Sequence, residues 1–248
     1  MKIPILCAQC VRENPKDKHS YSFAYLRDDG LYSSNCSKGH ISSTVLQQEK
    51  FEILFEIGAN AIVDGYYREA ISAFLASMEG FQEYYIKVIC LRHNIISDAL
   101  DETFRKLKNL SERQLGAFAI TFLLENAKVP PFLSEDLTNL RNKVIHRGRI
   151  PLREEAIKFG DAIYSIIVPI LRRLKSEYKT EVEKMTRFHI NELAAKAPNR
   201  INTATLYYPT ILSLSQTDSS LDKTFNEIFP EFEKRAISYT SRQTSRSS

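Results

Sequence analysis

YREAISAFLASMEGFQEYYIKVICLRHN, residues 67–94, places Ile71, Phe74, Leu75, Met78, Phe81, Tyr85, Val88 and Ile89 along one broad face when wound at helical period. Just upstream, STVLQQEKFEILFEIGANAIVDG, residues 43–65, repeats the pattern with Phe51, Leu54, Phe55, Ile57, Ile62 and Val63, and Gly65 ends it. Two such helices joined by a short glycine-containing turn pack antiparallel. The chain is therefore read as mainly α, an up-and-down helical bundle, and the rest of the sequence is assigned outward from this pair.

Toward the C-terminus the helical period continues. Short helices are predicted around 98–108 and 111–126, the second with Ser111 as N-cap, and Pro130-Pro131 closes that unit. SEDLTNLRNKVIHRG, residues 134–148, follows as a helix capped by Ser134, with acids in its first turn and cations in its last, as the helix dipole favours. After Pro151 a long helix is predicted over 152–185, kinked at Pro169. Beyond Pro198 come a short β-like run, a Ser/Thr-rich loop and a loose TSRQTSRSS end.

Toward the N-terminus the period changes to two. Tyr21, Phe23 and Tyr25 alternate with small residues, Asp28-Asp29-Gly30 supplies a turn, and Leu31–Asn35 reads as a return strand. This predicted hairpin lies between Cys7-Ala-Gln-Cys10 and Cys36-Ser-Lys-Gly39-His40. A C-x-x-C turn aims two thiolates at one point, and a second knuckle supplies two more ligands. The segment resembles a zinc ribbon, which implies a structural Zn²⁺ held by Cys7, Cys10, Cys36 and His40. His19 is a spare ligand candidate off both knuckles, and Cys90 reads as a small apolar packing residue. The expected domains are a zinc-ribbon-like segment over 1–43, a helical bundle over 44–197 and an extension of unassigned role over 198–248.

The chain carries 34 Lys and Arg against 30 Asp and Glu, a net charge of +4. So small an excess permits nucleic-acid contact without arguing for it. No apolar run reaches the roughly 18 residues of a membrane span. The N-terminal MKIPILCAQC is a poor signal peptide, so the expected location is the cytoplasm, where the cysteines would not form structural disulfides.

On a helical wheel Leu133, Leu137, Leu140 and Val144 form one narrow stripe facing the core. Asn142 and His146, four apart, lie nearly opposite it, with Arg141 on the flank. Core packing thus does not account for Asn142 or His146, and these two face solvent or a second molecule. The same set also reads as a solvated basic helix end.

An arginine, an asparagine directly after it, and a histidine four residues later resemble the R-x4-6-H motif of HEPN domains, over roughly residues 45–195. The place in the chain agrees, near the end of a late helix and before one more long helix. The resemblance implies a metal-independent endoribonuclease, with antiviral defence or toxin action as its setting. It also implies a homodimer in which two copies of the motif meet, and a possible antitoxin or defence-system partner protein. Arg141, Asn142 and His146 are then the catalytic candidates. Histidine moves protons near neutral pH, arginine forks onto phosphate oxygens, and RNA brings its own 2′-hydroxyl nucleophile. Lys143, Arg147 and Arg149 suit backbone phosphates as RNA-binding residues. Some HEPN domains add a polar residue on the second helix, for which Glu79 and Glu83 are candidates, although either also reads as a solvated acid. The alternative is a non-catalytic HEPN-like module that binds RNA or protein. A zinc hydrolase fits less well, because the sequence has no H-E-x-x-H and the one metal set has all four positions filled.

Overall fold

The computed structural model describes residues 1–14, 21–95, 98–107, 110–198, 203–215 and 221–244. His19 lies outside the described residues. The protein is mainly helical with a small β portion at the N-terminus, and it divides into two compact units. One comprises Met1–Glu49 with Glu183–Pro209, the other Lys50–Val182 with Thr210–Ser248. These limits do not coincide with the boundaries drawn at 43/44 and 197/198. The extension is shared between the units instead of standing apart, because its strand and its helix each complete a different core.

In the first unit, strands β1 (Lys2–Leu6) and β2 (Tyr21–Tyr25) pair antiparallel, with the short helix α1 (Ala8–Glu13) between them in sequence. Strands β3 (Leu31–Asn35) and β4 (Ile41–Leu46) form a second antiparallel pair, and β5 (Thr203–Leu206) adds to β4 in parallel. The predicted hairpin between β2 and β3 is therefore not formed. Each strand pairs across its own cysteine knuckle instead, and Arg27–Gly30 connects the two ladders. Ile41–Leu46, assigned partly to a helix from its apolar content, is a strand buried from Ser42 through Leu46.

In the second unit, α2 (Lys50–Val63) and α3 (Tyr67–Arg92) are the pair foreseen from residues 43–94. Helices α4 (Asp98–Leu107), α5 (Ser111–Asn126), α6 (Glu135–Arg147) and α7 (Arg153–Glu177) follow. Helix α3 packs against α2, α5, α6 and α7. The N-cap of α5 is Leu110, with Ser111 already inside the helix. Helix α7 runs through Pro169, and the predicted long helix breaks at Tyr178, after which α8 (Lys179–Ala195) begins.

The core of this unit is aromatic. Phe74 lies 4.8 Å from Phe55 and 5.7 Å from Phe225, centroid to centroid. Gly58 and Gly160 are what let it fit: a Cβ at either position would come within 2.6 Å and 2.8 Å of the Phe74 ring. Phe225 opens helix α9 (Phe225–Thr244), which packs on α2 and α7. The chain over Thr240–Thr244, expected to be loose, is helical, and 245–248 lie outside the described residues. Preceding α9, the backbone N–H of Ile211 donates to Glu56 at 3.0 Å and that of Leu214 to Glu52 at 2.9 Å, which pins this segment to α2. Among the described residues, no helix is long and apolar enough to cross a membrane.

Candidate functional site

Two groups of candidate side chains are described, one in each unit. In the first unit Cys7 caps α1, which turns Cys10 back toward it, and both are buried. In the tight turn between β3 and β4, Gly39 N–H donates to Cys36 O, and Gly39 takes φ +80°, a left-handed conformation that suits glycine. The two knuckles bring the ligand atoms of Cys7, Cys10, Cys36 and His40 within 4.8 Å of one another. Cys10 Sγ lies 3.6 Å from Cys36 Sγ and 3.4 Å from His40 Nδ1, and Cys7 Sγ lies 3.9 Å from the same nitrogen. A tetrahedral ion bonded to sulfur at about 2.3 Å sets its ligands at about this spacing.

The donor set fits a cation electrostatically as well. Burial, then the neighbouring Cys36 and Cys7 thiols, push the Cys10 thiol up to about 12. A positive ion among the sulfurs would reverse that. Burial also raises Cys36, but the backbone N–H groups of His40 and Lys38 together with the Cys10 and Cys7 thiols outweigh it and hold that thiol below its ordinary value. All four cysteines are free. The four residues thus form a site that could hold a metal ion. Glu13 Oε1, which accepts from Gln9 Nε2 at 3.0 Å, lies 3.8 Å from His40 Nε2, on the side of the ring away from the cluster. Glu13 was missed in the sequence because its place, one turn after Cys10, matters only once residues 8–13 are helical.

In the second unit, α6 forms as its sequence dictates. The Ser134 side chain accepts from Leu137 N–H at 3.4 Å, Glu135 and Asp136 occupy the first turn, and the left-handed Gly148 ends the helix. Leu137, Leu140 and Val144 are buried, while Leu133 lies before the helix and is only half-buried. On the flank of that stripe Arg141 is half-buried. Its Nη1 donates to Asn142 Oδ1 at 2.9 Å, and its buried Nε has no hydrogen-bond partner among the described residues. Asn142 is half-buried and His146 exposed, and His146 makes no hydrogen bond or ion pair among the described residues.

The two acids on α3 separate. Burial pushes the Glu79 carboxyl above its ordinary range, and the Arg141 charge partly offsets this. Glu83 instead pairs with Lys87 at 2.6 Å on its own helix. Lys143 and Arg147 are exposed, and Arg149 is tied to Glu155 at 2.7 Å. Ile150 and Leu152, 80% and 65% exposed, follow directly. The arrangement offers a cationic group held in place, a titratable imidazole in solvent and an acid within electrostatic reach of the cation. A cleft of about 320 Å³ elsewhere in this unit, lined by Tyr85, Phe122, Asn126, Arg173 and Tyr178 among others, includes none of these residues. No protein-family model, curated protein or solved structure matches the chain.

Proposed function

We propose that the protein is a metal-independent endoribonuclease of HEPN type that works as a homodimer, with antiviral defence or toxin action as its setting. One observation carries this reading. Arg141 is half-buried and held by Asn142, its charge reaches Glu79 on α3, and His146 stands exposed near the end of the same helix, with no partner among the described residues. A solvated helix end has no need of an arginine whose Nε is buried.

The chemistry needs a phosphate held and protons moved. The RNA 2′-oxygen attacks phosphorus, the bond to the 5′-oxygen breaks, and the leaving oxygen takes up a proton. Arg141 holds the non-bridging oxygens as charge develops on them. Asn142 orients the guanidinium through its hydrogen bond to Nη1. In a twofold dimer two copies of His146 are presented, one to accept the 2′-hydroxyl proton and one to supply a proton to the leaving group. Ile150 and Leu152 give the partner apolar surface beside the basic helix end. Lys143 and Arg147 are placed to contact phosphates of the flanking strand. In the first unit Zn²⁺ is the ion that three thiolates and one imidazole suit; with every position filled by protein it is structural.

An RNA oligonucleotide with a single 2′-deoxy position tests the mechanism. Cleavage should continue at every ribonucleotide, leave 2′,3′-cyclic phosphate and 5′-hydroxyl ends, and stop at the modified position. Cleavage 3′ of the deoxynucleotide would mean that the nucleophile is water and the mechanism is wrong.

A further inference from the structure

The cleft of about 320 Å³ in the helical unit lies between α7, the C-terminal part of α5 and the loop that follows α5. Ile166, Ile170 and Leu174, spaced at helical period on α7, give it a buried apolar floor together with Tyr85 of α3. The half-buried Phe122 ring forms a wall, 5.8 Å from Tyr85 centroid to centroid, and Pro131 and Pro169 line it as exposed residues. Two of the lining residues are cations, Lys128 and Arg173, and none is an acid. Lys128 is exposed and makes no ion pair among the described residues. It follows Ala127, which ends α5 at φ +50°, a left-handed conformation rare for a residue with a Cβ. Arg173 is half-buried, its Nε donates to Glu177 at 2.8 Å, and its guanidinium carbon lies 6.0 Å from the Tyr178 ring centroid. The terminal nitrogens of Arg173 make no hydrogen bond among the described residues. The neighbouring acid Glu125 is taken up elsewhere: it accepts from the Tyr178 hydroxyl at 2.5 Å and lies 3.2 Å from His93 Nε2.

We propose that this cleft binds a small aromatic anion, a flat apolar ring system carrying one carboxylate or one phosphate ester. The proposal stands independently of the nuclease reading. The volume lies at the small end of ligand pockets, and an apolar lining with a few polar groups is their usual make-up. The aliphatic floor buries the ring system, and the Phe122 ring gives an aromatic body edge or face contact. The anionic group meets two cations and no lining carboxylate, and the terminal N–H groups of Arg173 suit its oxygens in a planar fork. A cationic ligand would meet like charge. A neutral one that covered Arg173 would take water from those N–H groups and return nothing. A globular protein partner fits poorly, because a stable interface covers about 800 Å² on each side and this is one small concavity.

Calorimetric titration of the full, metal-loaded chain tests this, with 2-naphthoate as the carboxylate and adenosine 5′-monophosphate as the phosphate ester. At least one of them should bind saturably, one molecule per chain, and the tighter of the two identifies the anion. The neutral analogue of that binder, 2-naphthamide or adenosine, should bind about tenfold more weakly or worse, the worth of one hydrogen bond to a charged group. Arg173→Gln should bring the anion down to the level of its neutral analogue and leave the neutral analogue unchanged. Ser165 lines the cleft as an exposed residue, so Ser165→Phe fills the cleft without entering the core and should abolish binding. Melting temperature serves as the folding control, and if Arg173→Gln unfolds the chain, Ser165→Phe and the neutral analogue still decide. Failure of both anions to bind, equal affinity of the anion and its neutral analogue, or undiminished binding by folded Ser165→Phe would overturn the proposal.

Discussion

At the scale of single residues, two buried or half-buried acids illustrate different uses of desolvation. Burial raises the half-buried Glu79 carboxyl, and the charge of Arg141 on another helix partly offsets this. Glu56 is enclosed, and burial, only partly offset by the Ile211 N–H and by Arg235, pushes it up to about 7 from an ordinary 4.5. A folded-state value above the unfolded one means that the folded protein binds the extra proton. The stability from that proton is fully present below about 4.5 and is lost as pH rises through about 7, a change on the order of 3 kcal/mol. Glu56→Gln keeps an oxygen for Ile211 N–H and removes the ionisation. It should therefore melt higher than wild type at pH 8, with the difference shrinking toward pH 5. A difference that does not vary with pH would show that Glu56 titrates normally.

At the scale of elements, legibility follows the range of the interactions that decide each one. Helix α6 was readable to its ends because its cap, its apolar stripe and its terminal Gly148 are all local. The α2–α3 pair was readable for the same reason. The metal set was readable because cysteine spacing within each knuckle is local, and the meeting of the two knuckles needed only that strands exist. Which strand pairs with which was not readable. Tyr21–Tyr25 and Leu31–Asn35 look like a hairpin, yet β2 takes β1 and β3 takes β4, and β5 arrives from more than 150 residues away. Residues 210–244 were equally opaque, since Phe225 earns its helix through contact with Phe55 and Phe74 on distant elements. At the site, the Arg141–His146 group was visible on a wheel, but the difference between Glu79 and Glu83, both half-buried, lies in side-chain detail: Glu83 takes Lys87 as a partner and Glu79 does not. The knuckles carry their own prediction. Cys36→Ser should lower bound zinc from about one per chain to near none. Most of the helical circular dichroism should remain, because the helical unit has its own aromatic core. Collapse of the helical signal together with the metal would show that the two are not separable.

At the scale of the whole molecule, the proposed cleavage takes two chains per active site. Exposed His146, the adjacent exposed Ile150 and Leu152, and a half-buried Arg141 lie in one stretch of ten or so residues, and a twofold axis presents each of them twice. Mixing inactive Arg141→Ala with inactive His146→Ala should restore part of the cleavage, since mixed dimers hold one arginine and one histidine on opposite chains. No recovery on mixing, with exchange of subunits demonstrated, would place a complete site in each chain. The most direct test of the central claim is cleavage of total cellular RNA by the purified chain in EDTA, alongside His146→Ala and Arg141→Lys. Wild type should cut; His146→Ala should be slower by about 10²–10⁴-fold, the usual worth of a general acid–base group. Arg141→Lys should fail too, for want of the planar fork, and both variants should melt within a few degrees of wild type. A folded His146→Ala protein that cuts RNA at the wild-type rate would contradict the account.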